Sequence, residues 1–331
     1  MTTSPDRETT LSLTDAGDAC RRVIDEVERA VVGKRQALEL VLTAVVAGGH
    51  VLLEDFPGLG KTLAARSFAR ALGLDFQRAQ FTPDQLPADL TGSYVYNQSR
   101  GEFTFRAGPL FAGFLLADEI NRTPPKTQAA LLEAMQEHQV TVEGRTHQLP
   151  RPFHVMATAN PVETEGTYPL PEAQLDRFLL RLRFGYPDEA DEWEILSRRI
   201  ARRTDDIETA QVLDAETLMA VQRAAEDVFV HPAVGRYAVA VTGATRSDAA
   251  ASVGASPRGS LALLTCGRAR ALIEGRDFVT PDDIKALAPA ALAHRVTIRP
   301  ELWLSGVSGE QVVRAAVDSV PVPAEYLPDA G

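Results

Sequence analysis

The sequence has few cysteines and no long apolar run, and both absences limit what the chain can be. Two cysteines, Cys20 and Cys266, stand among 331 residues, too few for a disulfide framework or a four-cysteine zinc site. Lone thiols are typical of a reducing compartment. No apolar run approaches the roughly 18 residues of a membrane-spanning helix, and residues 1–10 lack the apolar stretch of a signal peptide. We therefore expect a cytoplasmic protein without membrane insertion.

The sequence also lacks an excess of basic residues. Its 34 lysines and arginines are outnumbered by 45 aspartates and glutamates, which gives a net charge of −11 at pH 7. General nucleic-acid binders usually show a basic patch or stripe, so we expect no nucleic-acid partner. The net charge does not exclude a local ring of basic residues in an assembly. The six histidines are scattered, without a helical pair at zinc-ligand spacing, and predict no metal site.

The order of the predicted elements divides the chain in two. A length of 331 residues favours about two domains, and 45% apolar with 24% charged residues is ordinary for a globular protein. Strands alternate with helices as far as residues 186–188, and almost every later segment has helical spacing. The prediction is a disordered polar tail at 1–14, an α/β core at 15–187 and an all-helical domain at 188–331.

Strand–helix alternation in the first domain predicts a parallel sheet with helices on both faces. Five strands are predicted, at 51–53, 75–81, 111–118, 153–158 and 178–182. Two further stretches, 93–106 and 139–149, alternate on both sides of a turn and predict hairpins inserted into this core. Ligands of such sheets bind at the carboxyl ends of the strands, so polar residues there are the first candidates for a site.

The first strand leads into a glycine-rich loop and a helix. The loop Pro57-Gly58-Leu59-Gly60 is followed by Lys61 and Thr62 at the start of a helix predicted over 61–72, which is the context of a phosphate-binding P-loop. Glycines let backbone N–H groups converge on phosphate oxygens, and the helix N-terminus adds partial positive charge. Lys61 would supply a full charge to the outer phosphates, and Thr62 a ligand for Mg²⁺.

Asp55 departs from the strict P-loop pattern, which has glycine at that position. A carboxylate that faced phosphates would be unfavourable, so we expect Asp55 to point away and Gly58 and Gly60 to form the phosphate nest. Upstream, Val31 and Val32 interrupt two predicted helices. They either pack in the core or form an apolar wall for a nucleotide base.

Two further strand ends carry residues suited to nucleotide hydrolysis. Asp118 and Glu119 end the third strand, and offer one carboxylate for Mg²⁺ and a second that orients or deprotonates the attacking water. Asn160 follows the fourth strand and can hydrogen-bond a γ-phosphate oxygen and a water together, because an amide both donates and accepts. Each pattern alone fits an ordinary solvated turn, and their predicted convergence with the P-loop favours a shared site.

Two arginines are candidates for charge stabilisation during hydrolysis. Arg177 precedes the fifth strand and is either half of a surface ion pair with Asp176 or an arginine finger that reaches the nucleotide of a neighbouring subunit. Arg258 opens a helix of the second domain, as a second phosphate sensor or as an ordinary residue at a helix start.

Together these motifs resemble the MoxR family of AAA+ ATPases, over nearly the whole chain from about residue 30. The motifs lie at 57–62, 118–122, 124–128, 157–161, 170–178 and 256–258, and the second and third, Asp-Glu-Ile-Asn-Arg and Pro-Pro-Lys-Thr-Gln, are the most specific. The resemblance implies an α/β P-loop core with a five-stranded parallel sheet, a helical lid, and a ring, usually a hexamer, with ATP and Mg²⁺ between subunits. It also implies the two hairpins, which in such rings face the pore or the client.

The same resemblance implies roles for individual residues. The nucleotide would contact Val32, Gly33, Pro57, Gly58, Leu59, Gly60, Lys61, Thr62 and Leu63, and the metal would be held by Thr62 and Asp118. Glu119 would be the catalytic carboxylate, Asn160 the first sensor, Arg177 the finger and Arg258 the second sensor. Family members act as chaperones that remodel or activate partner proteins, often ones with a von Willebrand factor type A domain.

Three functions are compatible with these residues. The first is an ATP-hydrolysing machine that remodels a client protein, which is favoured because Glu119, Asn160 and Arg177 occur together. The second is a nucleotide-gated binding module that assembles but barely turns over. The third is a DNA-acting ring, against which the acidic charge balance and the lack of a recognisable DNA-binding appendage argue.

Overall fold

The computed structural model describes residues 10–161 and 166–326, so residues 1–9 of the predicted tail lie outside the described residues. In chain order the first elements are α1 (Leu13–Ala30), α2 (Arg35–Val46), β1 (Val51–Glu54), α3 (Lys61–Ala71), β2 (Phe76–Gln80), α4 (Pro87–Thr91), β3 (Gly92–Asn97), β4 (Glu102–Ala107), β5 (Phe114–Asp118), α5 (Pro125–Glu137), β6 (Gln139–Val142), β7 (Arg145–Gln148), β8 (His154–Ala159), α6 (Glu172–Leu175) and β9 (Leu180–Leu182). The later elements are α7 (Glu189–Arg202), α8 (Ala215–Glu226), α9 (Pro232–Ser247), β10 (Ala251–Val253), α10 (Pro257–Ile273), α11 (Pro281–Leu292), β11 (Thr297–Ile298) and α12 (Gly309–Ser319). Short 3₁₀ helices cover Ile120–Arg122, Ala293–Arg295 and Pro300–Ser305.

A five-stranded sheet forms the centre of the first domain. Its strand order is β2-β5-β8-β1-β9, and each neighbouring pair is parallel, which confirms the predicted parallel sheet. Alternate residues point to opposite faces and join two separate buried clusters, with Leu53 and Leu116 in one and Leu52 and Leu115 in the other. Because the strands are parallel, the carboxyl ends of β1, β5 and β8 lie side by side at one edge.

Both predicted hairpins are present, and they pack on each other. β3 pairs antiparallel with β4, and β6 with β7. The Tyr94 hydroxyl lies 3.2 Å from Nε2 of His147, and the Phe105 ring stacks on the His147 ring with centroids 4.0 Å apart. The bases of the two hairpins therefore form one unit, while the rings of Tyr96 and Phe103, with centroids 5.2 Å apart, stay exposed toward the end of the first.

The second domain consists mainly of the predicted helices, and differs from the prediction in one respect. β10 pairs antiparallel with β11, so the lid is not entirely helical, and the expectation of an all-helical domain was wrong there. The two strands are three and two residues long, too short for alternation to be visible in the sequence, and they meet only because α10 and α11 bring distant segments together.

The first helix joins the two domains. It begins at Leu13, inside the predicted tail, because the Ser12 hydroxyl accepts a hydrogen bond from the N–H of Asp15 and caps the helix. Its buried residues, such as Val23, belong to the same apolar cluster as Leu263 of the lid. The lid therefore packs directly against the N-terminal helix and is not connected to the core by a linker alone.

Candidate active site

The glycine loop has the backbone shape that a phosphate nest requires. Gly58 has φ 82° and Gly60 has φ 80°, in the left-handed region where a side chain is unfavourable. A Cβ atom added at either position would meet nothing within 4 Å, so both glycines border open space. Gly60 caps α3, whose first N–H groups have no partner within the helix. Loop and helix together offer several N–H donors to an anion.

The residues predicted for phosphate and metal converge on one cavity. Its volume is about 430 Å³. Its walls come from β1, β2, β5 and β8 and their loops, and consist of Pro57, Gly58, Leu59, Gly60, Lys61, Thr62, Leu63, Arg78, Gln80, Asp118, Glu119, Thr158 and Asn160. The parallel sheet thus brings together the predicted P-loop, paired carboxylates and sensor amide.

Lys61 lies in this cavity with its charge turned toward the loop. Its Nζ donates to the carbonyl oxygens of Asp55, at 2.7 Å, and Phe56, at 3.1 Å. Burial lowers the pKa of Lys61 below its ordinary value, against the opposing effect of the Asp55, Asp118 and Glu119 carboxylates. A bound polyanion would offset that burial and favour the charged form.

Asp55 points away from the cavity, as expected. It is 4% exposed, and its Oδ2 accepts hydrogen bonds from the N–H groups of Phe184, at 2.6 Å, and Gly185, at 2.8 Å. Its Oδ1 accepts from the N–H of Phe56 at 3.1 Å. Three backbone donors satisfy this carboxylate, so the departure from the P-loop pattern adds a structural tie and leaves the phosphate cavity free.

The paired carboxylates are held by a threonine that the sequence analysis did not single out. The hydroxyl of Thr158 donates to Oδ1 of Asp118 at 2.6 Å and accepts from the backbone N–H of Glu119 at 2.8 Å. Arg78 donates to the second Asp118 oxygen at 2.6 Å. Glu119 itself has φ 59°, an unfavourable value for a residue with a side chain and one that clusters at functional sites.

Strand β2 contributes two further site residues that were missed. Nε2 of Gln80 donates to Oε2 of Glu119 at 2.8 Å, and Nη1 of Arg122 lies 3.2 Å from the same oxygen. Arg78 and Gln80 are alternate residues, so they share one face at the carboxyl end of β2. The sequence shows polar residues at the end of this strand. Their place in the site could be predicted only with the order of the strands in the sheet.

A second cavity of about 290 Å³ adjoins the phosphate cavity, with which it shares Gly58, Leu59, Gly60 and Leu63. Val31, Val32, Ile195 and Ile207 supply apolar walls. Val31 is also 5% exposed and belongs to the core, so it both packs in the core and lines this cavity. An apolar cavity continuous with a phosphate nest suits a flat base joined to phosphates.

Gly33 does not join Val32 in this second cavity. It has φ 69°, and a Cβ atom there would lie 1.9 Å from Oδ2 of Asp191 on α7. Gly33 instead lines a separate cavity with Arg181 and Arg183. Its φ lies in the left-handed region that favours glycine, and the Asp191 carboxylate of α7 occupies the space of a side chain there.

Arg177 and Arg258 also lie away from the phosphate cavity. Both line another cavity of about 290 Å³, together with Asp176, Leu261 and Arg295. Nη1 of Arg258 is 3.9 Å from Oδ2 of Asp176. Within the described part of the chain, these two predicted arginines therefore share a face with each other and not with the P-loop.

The residues of the phosphate cavity fit an ATP–Mg²⁺ complex. The cavity offers a hydroxyl and a carboxylate, Thr62 and Asp118, as the hard oxygen donors that Mg²⁺ prefers, while phosphates and water complete its shell. Elsewhere in residues 10–161 and 166–326, no group of three histidines, cysteines, aspartates or glutamates is placed to hold a metal ion. No helix of those residues is long and apolar enough to cross a membrane.

Comparison with known proteins agrees with this geometry. A profile of the ATPase family associated with various cellular activities (AAA) matches residues 50–180, and a profile of the AAA lid domain matches residues 243–316. YeaC of Bacillus subtilis is 48% identical across 92% of this chain and 95% of its own length. The chaperone MoxR1 of Mycobacterium tuberculosis is 45% identical across 91% of this chain and 82% of its own length. The crystal structure of a Cytophaga hutchinsonii protein described as an ATPase matches with TM-score 0.88 and 38% identity, across 94% of this chain and 97% of that one.

A P-loop at the edge of a parallel sheet, with both AAA profiles matched in order, defines the chain as an AAA+ ATPase with a lid domain. Within that class it belongs to the MoxR family, because the identity to MoxR1 extends over most of both chains. The resemblance read from the motifs is thereby confirmed.

Proposed function

We propose that the protein hydrolyses ATP at the subunit interfaces of a ring and uses this cycle to remodel or activate a client protein. The observation that carries the proposal is the separation of two half-sites. One face holds the base and phosphate cavities with Lys61 and Glu119, and another holds Arg177 and Arg258. Two such half-sites form a complete site only between neighbouring subunits.

On the first face, binding and chemistry are divided among a few side chains. The N–H groups after Gly58 and Gly60, with Lys61, bind the phosphates, and Val32 and Leu63 contact the base. Thr62 and Asp118 hold Mg²⁺, which neutralises phosphate charge when it is bound. These assignments rest on the shared walls of the two cavities.

Glu119 is the residue that prepares the attacking water. Gln80 and Arg122 hold its carboxylate, and Thr158 fixes its backbone, so it needs little reorganisation to orient a water against the γ-phosphate. Asn160, 8% exposed at the end of β8, adds an amide that contacts both phosphate and water.

On the second face, Arg177 acts as a finger toward the nucleotide of the neighbouring subunit, and Arg258 as a second sensor there. Fingers of this kind raise phosphoryl-transfer rates by about 10³–10⁵ in GTPases. A heterologous interface that pairs one face with the other closes into a ring when the rotation permits, and the family resemblance favours a hexamer.

The client contacts the hairpin unit. The Tyr96 and Phe103 side chains are 52% and 68% exposed, and an aromatic pair that stays exposed at the end of a hairpin is suited to binding a protein segment. A partner with a von Willebrand factor type A domain is the first client to test. A cytoplasmic location fits Cys20 and Cys266, both buried and unpaired.

The test is the substitution Glu119→Gln, with Glu133→Gln on the exposed side of α5 as a control. We expect Glu119→Gln to bind a fluorescent ATP analogue with unchanged affinity while turnover falls at least about 100-fold, and the ATP-bound chain to retain its client. Unchanged turnover would remove Glu119 from its role. A wild-type chain that binds ATP and assembles without turnover would favour a nucleotide-gated binding module.

A further inference from the structure

A side chain of the lid forms hydrogen bonds with the segment that carries Arg177. The Arg295 side chain, 3% exposed at the end of its 3₁₀ helix, donates to Oδ1 of Asp176 at 2.6 Å and to the carbonyl oxygen of Phe178 at 2.9 Å. Longer hydrogen bonds of 3.3 Å reach the carbonyl oxygens of Asp176 and Leu179. Arg295 thus contacts the residues on both sides of the proposed finger.

A neighbouring histidine adds a second contact between the lid and this segment. Nε2 of His294 lies 3.1 Å from the same Phe178 carbonyl oxygen, and the Phe178 side chain is fully buried. The second oxygen of Asp176 faces Arg258 at 3.9 Å. Lid residues from two places in the chain therefore converge on the two residues that flank Arg177.

Arg295 is a charged residue in a buried position, so its hydrogen-bond partners matter for stability. Removing a guanidinium from water is unfavourable unless its donors are paired. Among residues 10–161 and 166–326, every acceptor of Arg295 lies in the segment 176–179, apart from the Ala291 carbonyl in the preceding helix α11. The charge is thus satisfied by the finger segment and by little else in the lid.

We infer that Arg295 is a positioning residue for Arg177, so that the lid of one subunit sets how its finger reaches the nucleotide of the next. The inference rests on the proposed function, in which Arg177 acts across the subunit interface. A misplacement of about 1 Å at a catalytic group can reduce a rate about 100-fold. Arg295 therefore controls turnover without touching ATP.

The first test is Arg295→Met, which keeps an unbranched apolar stem at this position and removes the guanidinium with its donors. We expect kcat to fall about 10- to 100-fold, while KM and the affinity for an ATP analogue stay within about two-fold, because the phosphate cavity of the same chain is untouched. Arg295→Lys, with fewer donors than guanidinium, should give an intermediate kcat.

Arg276→Met is the matched control for lid stability. Arg276 is also a poorly exposed lid arginine, with hydrogen bonds to Asp283 at 2.7 and 2.9 Å, Glu274 at 2.7 Å and the carbonyl oxygen of Phe278 at 2.9 Å. Its partners lie within the lid and outside 176–179. The Arg276→Met substitution should lower the unfolding temperature, as Arg295→Met does, but should leave kcat unchanged.

Two further measurements separate positioning from general damage. Addition of Arg295→Met to Arg177→Ala should cause no fall in kcat beyond Arg177→Ala alone, because both changes remove one function. Mixing Arg295→Met with Lys61→Ala chains should restore turnover, because the Lys61→Ala chain supplies a correctly held finger to the intact pocket of its neighbour.

The outcomes distinguish this inference from the proposed function. If Arg177→Ala lowers kcat but folded Arg295→Met does not, or if the two losses multiply, Arg295 has no positioning role. If Arg177→Ala itself leaves kcat unchanged, the finger assignment fails and this inference with it. Should Arg295→Met fail to fold, Asp176→Asn removes the same ion pair from the other side and carries the same expectations.

Discussion

Asp55 is tied to Phe184 by a hydrogen bond of 2.6 Å from the Phe184 N–H to its buried carboxylate. This contact joins the end of the P-loop strand to the segment that leads into α7, a helix that walls the base cavity through Ile195. The residue that departs from the P-loop pattern therefore connects the strand before the glycine loop with the segment before α7, which lines the second cavity.

We expect Asp55→Ala to destabilise the protein while the glycine nest keeps its shape. The substitution leaves the N–H groups of Phe184 and Gly185 without their acceptor, a loss of about 2–4 kcal/mol in the free energy of unfolding. Urea unfolding monitored by fluorescence measures it. Asp55→Asn, which keeps one acceptor oxygen, should lose less, and a loss below about 0.5 kcal/mol for Asp55→Ala would contradict the tie.

Gly60 and Gly48 allow the phosphate nest to be tested with a matched pair. They have φ 80° and φ 69°, and a Cβ atom at either meets nothing within 4 Å. Both alanine substitutions should destabilise the fold by about 1–2 kcal/mol through the left-handed backbone. Only Gly60→Ala should weaken ATP binding as well, because its new methyl group enters the phosphate cavity. Titration with a fluorescent ATP analogue decides this, and equal affinities would contradict the proposed nest.

Thr158 holds both carboxylates through one hydroxyl, so its removal should affect chemistry more than binding. We expect Thr158→Val, nearly the same in shape, to lower kcat at least about 10-fold, since Asp118 loses a donor and Glu119 an acceptor. Thr158→Ser keeps the hydroxyl and should retain most activity. Steady-state ATPase assays at varied Mg²⁺ measure both, and equal activity of the valine and serine variants would show that the hydroxyl is not required.

Two buried histidines should make the stability fall in mild acid. Burial lowers the pKa of His50 to about 3 and that of His154 to about 4, against about 6.5 in an unfolded chain. The unfolded state then binds more protons between these values, so stability is fully present above about pH 6.5 and decreases as the pH falls. We expect each histidine to reduce the free energy of unfolding by about 1.5 kcal/mol between pH 6.5 and 5.

Burial is the main reason that both rings stay neutral, and one hydrogen bond of His50 acts in the same direction. Nδ1 of His50 accepts from the N–H of Val155 at 3.0 Å while its Nε2 faces the Met135 carbonyl. A second proton would break the first of these contacts. His154→Gln should remove one histidine's share of the pH dependence in urea unfolding at pH 5 to 7. A slope unchanged from wild type would show that His154 is protonated equally in both states.

Much of the site was predictable because parallel strands end together. Asp118, Glu119 and Asn160 follow apolar runs whose type and direction could be inferred, so their convergence with Lys61 followed from the fold class. Asp55 could be assigned a direction from charge alone. Such residues are determined by local pattern together with one general rule of sheet architecture.

The remaining site residues depend on contacts that no local pattern encodes. Arg78 and Gln80 reach the carboxylates only because β2 pairs with β5, and strand order is a property of the whole sheet. Gly33 could not be separated from Val32, because the two are adjacent in sequence and only the folded chain places them on different cavities. The hydrogen bonds of Arg295 to residues 176–179 connect two domains, and no local sequence pattern predicts them.

The central claim is that each ATP is bound between two subunits, with Lys61 from one and Arg177 from the other. Lys61→Ala and Arg177→Ala chains should each be nearly inactive alone. A one-to-one mixture should regain turnover at about one quarter of its interfaces, those with an intact pocket and an intact finger. A mixture of Lys61→Ala with the double variant Lys61→Ala/Arg177→Ala has no intact pocket and should stay inactive. Recovery in the first mixture alone is the predicted result, and its absence at every ratio, with mixed rings shown to form, would contradict the account.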